Sequence, residues 1–434
     1  MSTKEEWIQK AQSCFDREDF RTLITDLVNI PSPTGEEMDI AKYCANYMCQ
    51  RGLNGQLQPI TETQANAIGR YTSSAEQDGP ELLLYANLDT HMGAGIEDHP
   101  WAGVPYPEIL SPNARWNGDE ISGLCAENPK GYAAIVMAAA ACVAKAQIPL
   151  RGNLTVGLGA GGMAVLGRDG WKNRSVGAGN GALFMLQRGV TPDYCIVCKP
   201  VYAVSWEEVG LCFFRVRVKG AGIGYAGARH FIADPNPLPH IPVVIHAIET
   251  WIKERAERSR SGQIEPWGGI SAIHSGWENR PLITPALADL IVDVRVSPRS
   301  SPAEVAREFR KMIKDVEETL HGIEIAVSLE LAIPGGRTDP ENWIIKTMIS
   351  SWEAQEEAMH PSLERMSGYT DISVIRQWGI PAGRIGVPFR VSDSTEVDSL
   401  PMNRLHIDDA ERLVKFLIRT AIETCAASLE ETLK

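Results

Sequence analysis

The sequence predicts an α/β fold: a mostly parallel sheet with helices on both faces, interrupted by a smaller inserted α+β unit. Three observations carry that expectation. Apolar runs of strand length end in polar or glycine-rich turns at LLLYANLD (82–89), NLTVGLGAG (153–161) and TPDYCIVCKP (191–200). Helix-period segments lie between them, which is the alternation of βαβ units. After Pro200 the pattern changes character, and it changes back near residue 334. At 434 residues the chain is also too long for one ordinary core.

The elements follow in order. An amphipathic stretch runs to Asn29, and the loop IPSPTGEE (30–37) leads into the helical MDIAKYCANYMCQRG (38–52). Glu36 and Glu37 put acids in the first turn, where the helix dipole favours them. The strand ELLLYANLD is followed by a loop rich in Pro, Gly and Trp (93–118), then by GDEISGLCAENPKG (118–131) and an Ala-rich helix (131–146). A strand with a glycine-rich end, a helix after residue 176 and the strand DYCIVC complete this half.

In the inserted segment VGLCFFRVRVKGAG (209–222) alternates as a half-buried strand does, with Arg215, Arg217 and Lys219 on one side. The helix PVVIHAIETWIKERAERS follows, then strands at ISAIHSGWENRP and ALADLIVDVRVSP, the helix AEVAREFRKMIKDVEETL and the strand IEIAVSLELA. This four-strand, two-helix unit spans 206–333. The chain then returns to helix (341–355), strand (381–388) and an amphipathic helix (406–430). The first domain is therefore 1–205 with 334–434.

The formal net charge is −13 and the pI about 5.3. That balance disfavours nucleic acid and anionic membranes as partners and leaves a small-molecule ligand. The N-terminus is charged and helical in pattern, without a secretory apolar region. The longest apolar run, 131–146, is shorter than the ~20 residues a membrane span needs. Nine scattered cysteines make no disulfide framework, so a cytoplasmic location is expected. Cys195 and Cys198 form a C-x-x-C, but on a strand residues three apart face opposite sides and cannot easily chelate one ion.

Five segments, in order and at sensible spacing, resemble the M20 metallopeptidase/amidohydrolase family. LVNIPSPTGEE resembles its opening loop, and LLLYANLDT the strand ending in His-x-Asp-Thr. GLCAENPKG is similar to Gly-Arg-Gly-x-x-Asp-x-Lys-Gly, TPDYCIVCKP to Asp-Tyr-x-x-x-x-Glu-Pro, and SGYTDISVIRQWGIPAGRIG to the late Gly-x-x-Asp…Gly-Ile-Pro segment. The resemblance implies a zinc-exopeptidase-like sheet domain, an inserted lid and dimerisation domain, a homodimer, and hydrolysis of amide bonds at a pair of zinc ions. Two dications need anionic or imidazole ligands.

Placed position by position, those ligands are missing. The first His position is Asn87, and the bridging Asp position is Asn128. The Glu-Glu pair falls on Gly162 and Met163, give or take one residue. The Glu of Glu-Pro is Lys199, the late His position lies near Ser392, and the inserted domain's His falls at Gly224 or Tyr225. The expectation is a degenerate metal site with no cofactor. Lys199 would replace part of the metal charge, with Asp89 as its ion-pair partner and Asn87 and Asn128 as further acceptors.

Asp371 and Glu396 keep their motif contexts and are candidate pocket residues. So are His230 and His240, in a Pro-rich loop of the insertion, and Arg295, as a substrate clamp or a sheet-surface residue. Cys125 and Cys198 flank pocket positions as nucleophiles or as small core residues. Trp101, Trp116 and Trp206 are candidates for an aromatic ligand wall. Three functions stay open: a metal-independent enzyme acting on a small amide or other C–N compound, a non-catalytic binding homologue, and a metalloenzyme with ligands relocated to Asp89, His91 and Glu127.

Overall fold

The computed structural model describes residues 3–73, 77–93, 95, 106–166, 177–228, 236–388 and 401–433. Two compact units result. The first comprises Met1–Trp206, Thr338–Ser362 and Thr370–Lys434, and the second Glu207–Arg337 with Leu363–Tyr369. The short 363–369 segment thus packs with the insertion, where the sequence had placed it in the first domain.

The first unit opens with α1 (Thr3–Gln12), α2 (Arg17–Asn29) and α3 (Met38–Gln50). Asp16 starts α2 by accepting the amides of Glu18 and Asp19, and Phe20, Leu23, Ile24, Leu27 and Val28 form its buried stripe. Strands β1 (Asn54–Pro59) and β2 (Ala65–Tyr71) form a hairpin, followed by β3 (Leu82–Asn87), α4 (Lys130–Lys145), β4 (Leu154–Gly159), α5 (Asn180–Gln187) and β5 (Tyr194–Cys198). In the second unit come β6 (Gly210–Lys219), α6 (Ile241–Arg258), β7 (Gly269–Ser275), β8 (Leu287–Val296), α7 (Pro302–Glu317) and β9 (Glu324–Ile333). Back in the first unit are α8 (Trp343–Glu356), α9 (Ile372–Gln377), β10 (Ala382–Ile385) and α10 (Ile407–Cys425). Among the described residues, no helix is long and apolar enough to cross a membrane.

The large sheet runs β1-β2-β4-β3-β5-β10. From β4 to β10 it is parallel, and the β1–β2 hairpin joins β4 antiparallel. The strand pattern puts alternate residues into different layers. Leu82, Leu84 and Ala86 pack into one core with α1 to α4, α8 and α10; Leu83 and Tyr85 pack into another with α5 and α9. Cys198 lies in the first of these cores and Cys195 in the second, on opposite faces as the spacing requires.

The second unit is an antiparallel sheet, β7-β8-β6-β9, with α6 and α7 over one face. Ser301 and Glu304 cap α7 reciprocally, and Phe309 stacks on Phe214 at 4.4 Å. On the other face the basic residues of β6 find cross-strand acids. Arg217 makes two 2.7 Å bonds to Asp289, and Lys219 reaches Glu324 at 2.6 Å.

Candidate functional site

Polar side chains gather at the C-terminal ends of β3, β4 and β5, where open α/β sheets place ligands. Asn87 closes β3, two residues beyond Tyr85 and on the same face. Its amide donates to Asp371 Oδ2 at 2.5 Å, and the Tyr85 hydroxyl donates to the same oxygen. Asp371 sits at the N-terminus of α9 and is completely buried. Its second oxygen has no hydrogen-bond partner among the described residues. Burial pushes this carboxyl up to about 6, against the opposing pull of Tyr85 and the Lys199 charge.

Asp89 is held by backbone. Its Oδ1 accepts the Gly162 amide at 2.9 Å, and its Oδ2 accepts the Met163 amide and the Thr34 hydroxyl, each at 2.8 Å. The neighbouring Gly161 amide goes to Glu37 Oε1 at 2.9 Å. Two buried carboxyls therefore fix three successive amides of the turn after β4. Glu37 also accepts the Gly35 amide at 3.0 Å, while its Oε2 is buried with no hydrogen-bond partner among the described residues. Burial, and then the Asp89 charge, push the Glu37 carboxyl up to about 8.

Lys199 follows β5 and donates to Asn128 Oδ1 at 2.9 Å. The expected ion pair with Asp89 is not formed, because both Asp89 oxygens are spent on the 162–163 amides and Thr34. Burial lowers the Lys199 ammonium, and the nearby charges of Asp371 and Asp89 oppose that shift. Lys130, also in the retained motif, is structural. Its ammonium is buried under the end of α2, donating to Ile30 O at 2.6 Å and Val28 O at 3.3 Å, and burial brings it down to about 8.

His91 Nδ1 lies 3.3 Å from Cys125 Sγ. Glu127 turns elsewhere, accepting the Tyr132 hydroxyl at 2.8 Å. Asp89, His91 and Glu127 therefore do not assemble as relocated ligands. Among the described residues, no group of three or more His, Cys, Asp or Glu side chains is placed to hold a metal ion.

Of the remaining expectations, Ser392, Glu396, His230 and Trp101 lie outside the described residues. Arg295 pairs with Asp293 on its own strand at 2.6 Å in the second unit. Trp116 is bonded to Thr25 and covered by Arg21, so it packs on α2. Cys198 is a core residue whose thiol burial pushes far up. Sequence reasoning missed Glu37 and Tyr85. Glu37 reads as a helix-start acid, yet its side chain makes no cap bond to α3; Tyr85 carries a signal, since it shares a face with Asn87.

No family model matches the sequence. Solved structures do match over nearly the full length. A dipeptidase from Saccharomyces cerevisiae is 12% identical, with 98% of this chain and 99% of that chain covered and a TM-score of 0.70. An M20 family metallo-carboxypeptidase from Sulfolobus solfataricus is 15% identical, covering 94% and 99% at a TM-score of 0.65. The fold is that of the M20 peptidases. A third M20 structure, a dinuclear metal binding peptidase from Bacillus subtilis, is 13% identical, covering 96% and 99% at a TM-score of 0.60. The residues described at the M20 strand ends do not fit such a pair of dications. An ammonium on Asn128 and an amide on Asp371 present donors where cations need acceptors.

The M20-type strand ends carry a pH signature. Glu37 and Asp371 hold protons in the folded chain at pH values where the unfolded chain has lost them. The native state thus binds more protons between the ordinary carboxylate range, about 4, and about 8. Stability should fall as pH rises through that window. Urea midpoints at its two ends measure the slope, and Glu37→Gln should flatten the upper part, between about 6 and about 8. A midpoint independent of pH would contradict the buried acids.

Proposed function

We propose that the chain is a hydrolase of M20 descent that cleaves an amide or related C–N bond of a small N-acyl amino acid or peptide-like molecule without a metal pair. The similar folds of a dipeptidase and a metallo-carboxypeptidase support the substrate class. One observation carries the rest: the Lys199 ammonium, held on Asn128 at 2.9 Å, stands at the end of a central strand with Asp371 and Asp89 in its field. A substrate carbonyl oxygen bound to that ammonium would have its developing negative charge stabilised.

The test is a panel of N-acyl amino acids and dipeptides assayed with and without EDTA. Turnover indifferent to chelator and lost in Lys199→Ala is expected. Turnover abolished by EDTA and restored by zinc would overturn the reading. Ligand-induced thermal stabilisation without turnover would favour a binding homologue instead, a reading that Gly162 and Met163 support, since neither residue has a side chain that accepts a proton.

A cytoplasmic location fits the nine free cysteines. A homodimer through the inserted unit is supported by its exposed apolar side chains Ile223, Tyr225, Trp277 and Leu282. Sedimentation equilibrium should give twice the chain mass, and a monomer would refute it.

A further inference from the structure

We propose that Cys125 and His91 are a nucleophile and base for acyl transfer, working beside the Lys199 ammonium. The inference rests on the hydrolase reading for its substrate, and it supplies what that reading lacks, a group that attacks the carbonyl.

The pair is assembled from two segments of the first unit. His91 follows the end of β3, and Cys125 lies in the loop before α4, with Sγ and Nδ1 3.3 Å apart. The cysteine is fixed on both sides, its amide on Asn403 Oδ1 at 2.8 Å and its carbonyl on the Lys130 amide at 3.2 Å. Its φ is +59°, a conformation that favours glycine. The motif that this loop resembles does have glycine there, so a thiol stands at a position that backbone geometry alone would give to Gly. Thiol and ammonium each lie in the other's field. Cys125 is 1% exposed, and burial pushes its thiol up to about 12, so the thiolate must form in the step itself, by transfer to a base in contact. His91 is partly exposed and is that base.

The chemistry balances. Sγ attacks the carbonyl carbon as its proton passes to His91 Nδ1, and the carbonyl electron pair moves to the oxygen beside Lys199. Collapse breaks the C–N bond, and the imidazolium protonates the departing amine. Water, deprotonated by His91, then cleaves the thioester and returns the thiol.

The test uses p-nitrophenyl acetate on the full chain, read by the p-nitrophenolate burst and by peptide mass mapping. A burst of one equivalent is expected, with a hydroxylamine-labile acetyl group on Cys125. The exposed Cys49 serves as the reference thiol. His91→Gln should slow Cys125 acetylation about 100-fold, and Cys125→Gly, which suits the left-handed backbone, should fold and lose the burst. A burst that persists in Cys125→Gly, or Cys125 labelled no faster than Cys49, would overturn the proposal. EDTA-resistant amide turnover that survives in Cys125→Gly would also overturn it while leaving the role of Lys199 intact. His91-dependent acetylation without turnover of any amide would uphold the pair and sink the hydrolase reading.

Discussion

Lys199→Ala should lower kcat/KM by about 100- to 1000-fold, which corresponds to about 3–4 kcal/mol of lost transition-state stabilisation. The size follows from placement. A preorganised ammonium beside a largely buried polar cluster acts on developing charge with less solvent screening than in bulk water, and Asn128 already fixes its direction. The fold should hardly notice. A desolvated ammonium resting on one neutral amide contributes little to stability, so Lys199→Met should unfold at the same urea concentration as the parent or a higher one. Steady-state kinetics and urea melts of the two variants separate the roles. Activity within about twofold of the parent in Lys199→Ala would remove Lys199 from the chemistry. The sign of the pH effect is fixed too: burial lowers this ammonium, so activity should decline on the alkaline side as it loses its proton.

The second large effect concerns stability. Gly162→Glu, which puts a carboxylate at the position where resemblance expects one, should cost about 3 kcal/mol or more. A Cβ on Gly162 would run into the Asn87 amide, with Cγ only 2.6 Å away and Asp89 Oδ1 at 3.1 Å. Asn87 cannot step aside cheaply, because its amide is tied to Asp371 and buried. A new carboxylate would also join Asp89, Glu37 and Asp371 in one poorly solvated region. Truncating the obstacle tests the cause. The double variant Gly162→Glu with Asn87→Ala should recover about 1 kcal/mol or more of the loss. Wild-type stability in the single variant would contradict the packing described for this turn.

Much of the architecture was legible because hydrophobic period and turn chemistry agree along the chain. The Ala-rich α4, the alternating β6 and the capped α7 each announce themselves. The β1–β2 hairpin did not. Its residues Gln56, Gln58 and Asn66 break the apolar pattern, and strand pairing supplies what side-chain periodicity withholds. At the site, the position of Lys199 was legible from a strand-end motif and that of Asp371 from the late Gly-x-x-Asp segment leading into α9. The partners of Asp89 were not, since backbone amides of a turn leave no trace in residue identity. The link from Asn87 to Asp371 joins residues 284 apart in sequence, which no local pattern encodes.

The insertion has a bearing on synthesis. Most of the second unit, residues 207–337, is one continuous stretch, while its remaining segment 363–369, Asp371 and β10 emerge from the ribosome after it. A nascent chain stalled before residue 371 carries β3 with the Asn87 amide and Tyr85 hydroxyl lacking their shared acceptor, and with β5 lacking its β10 neighbour. Most of the inserted unit can therefore form during translation before the strand-end cluster, which assembles only after Asp371 has emerged.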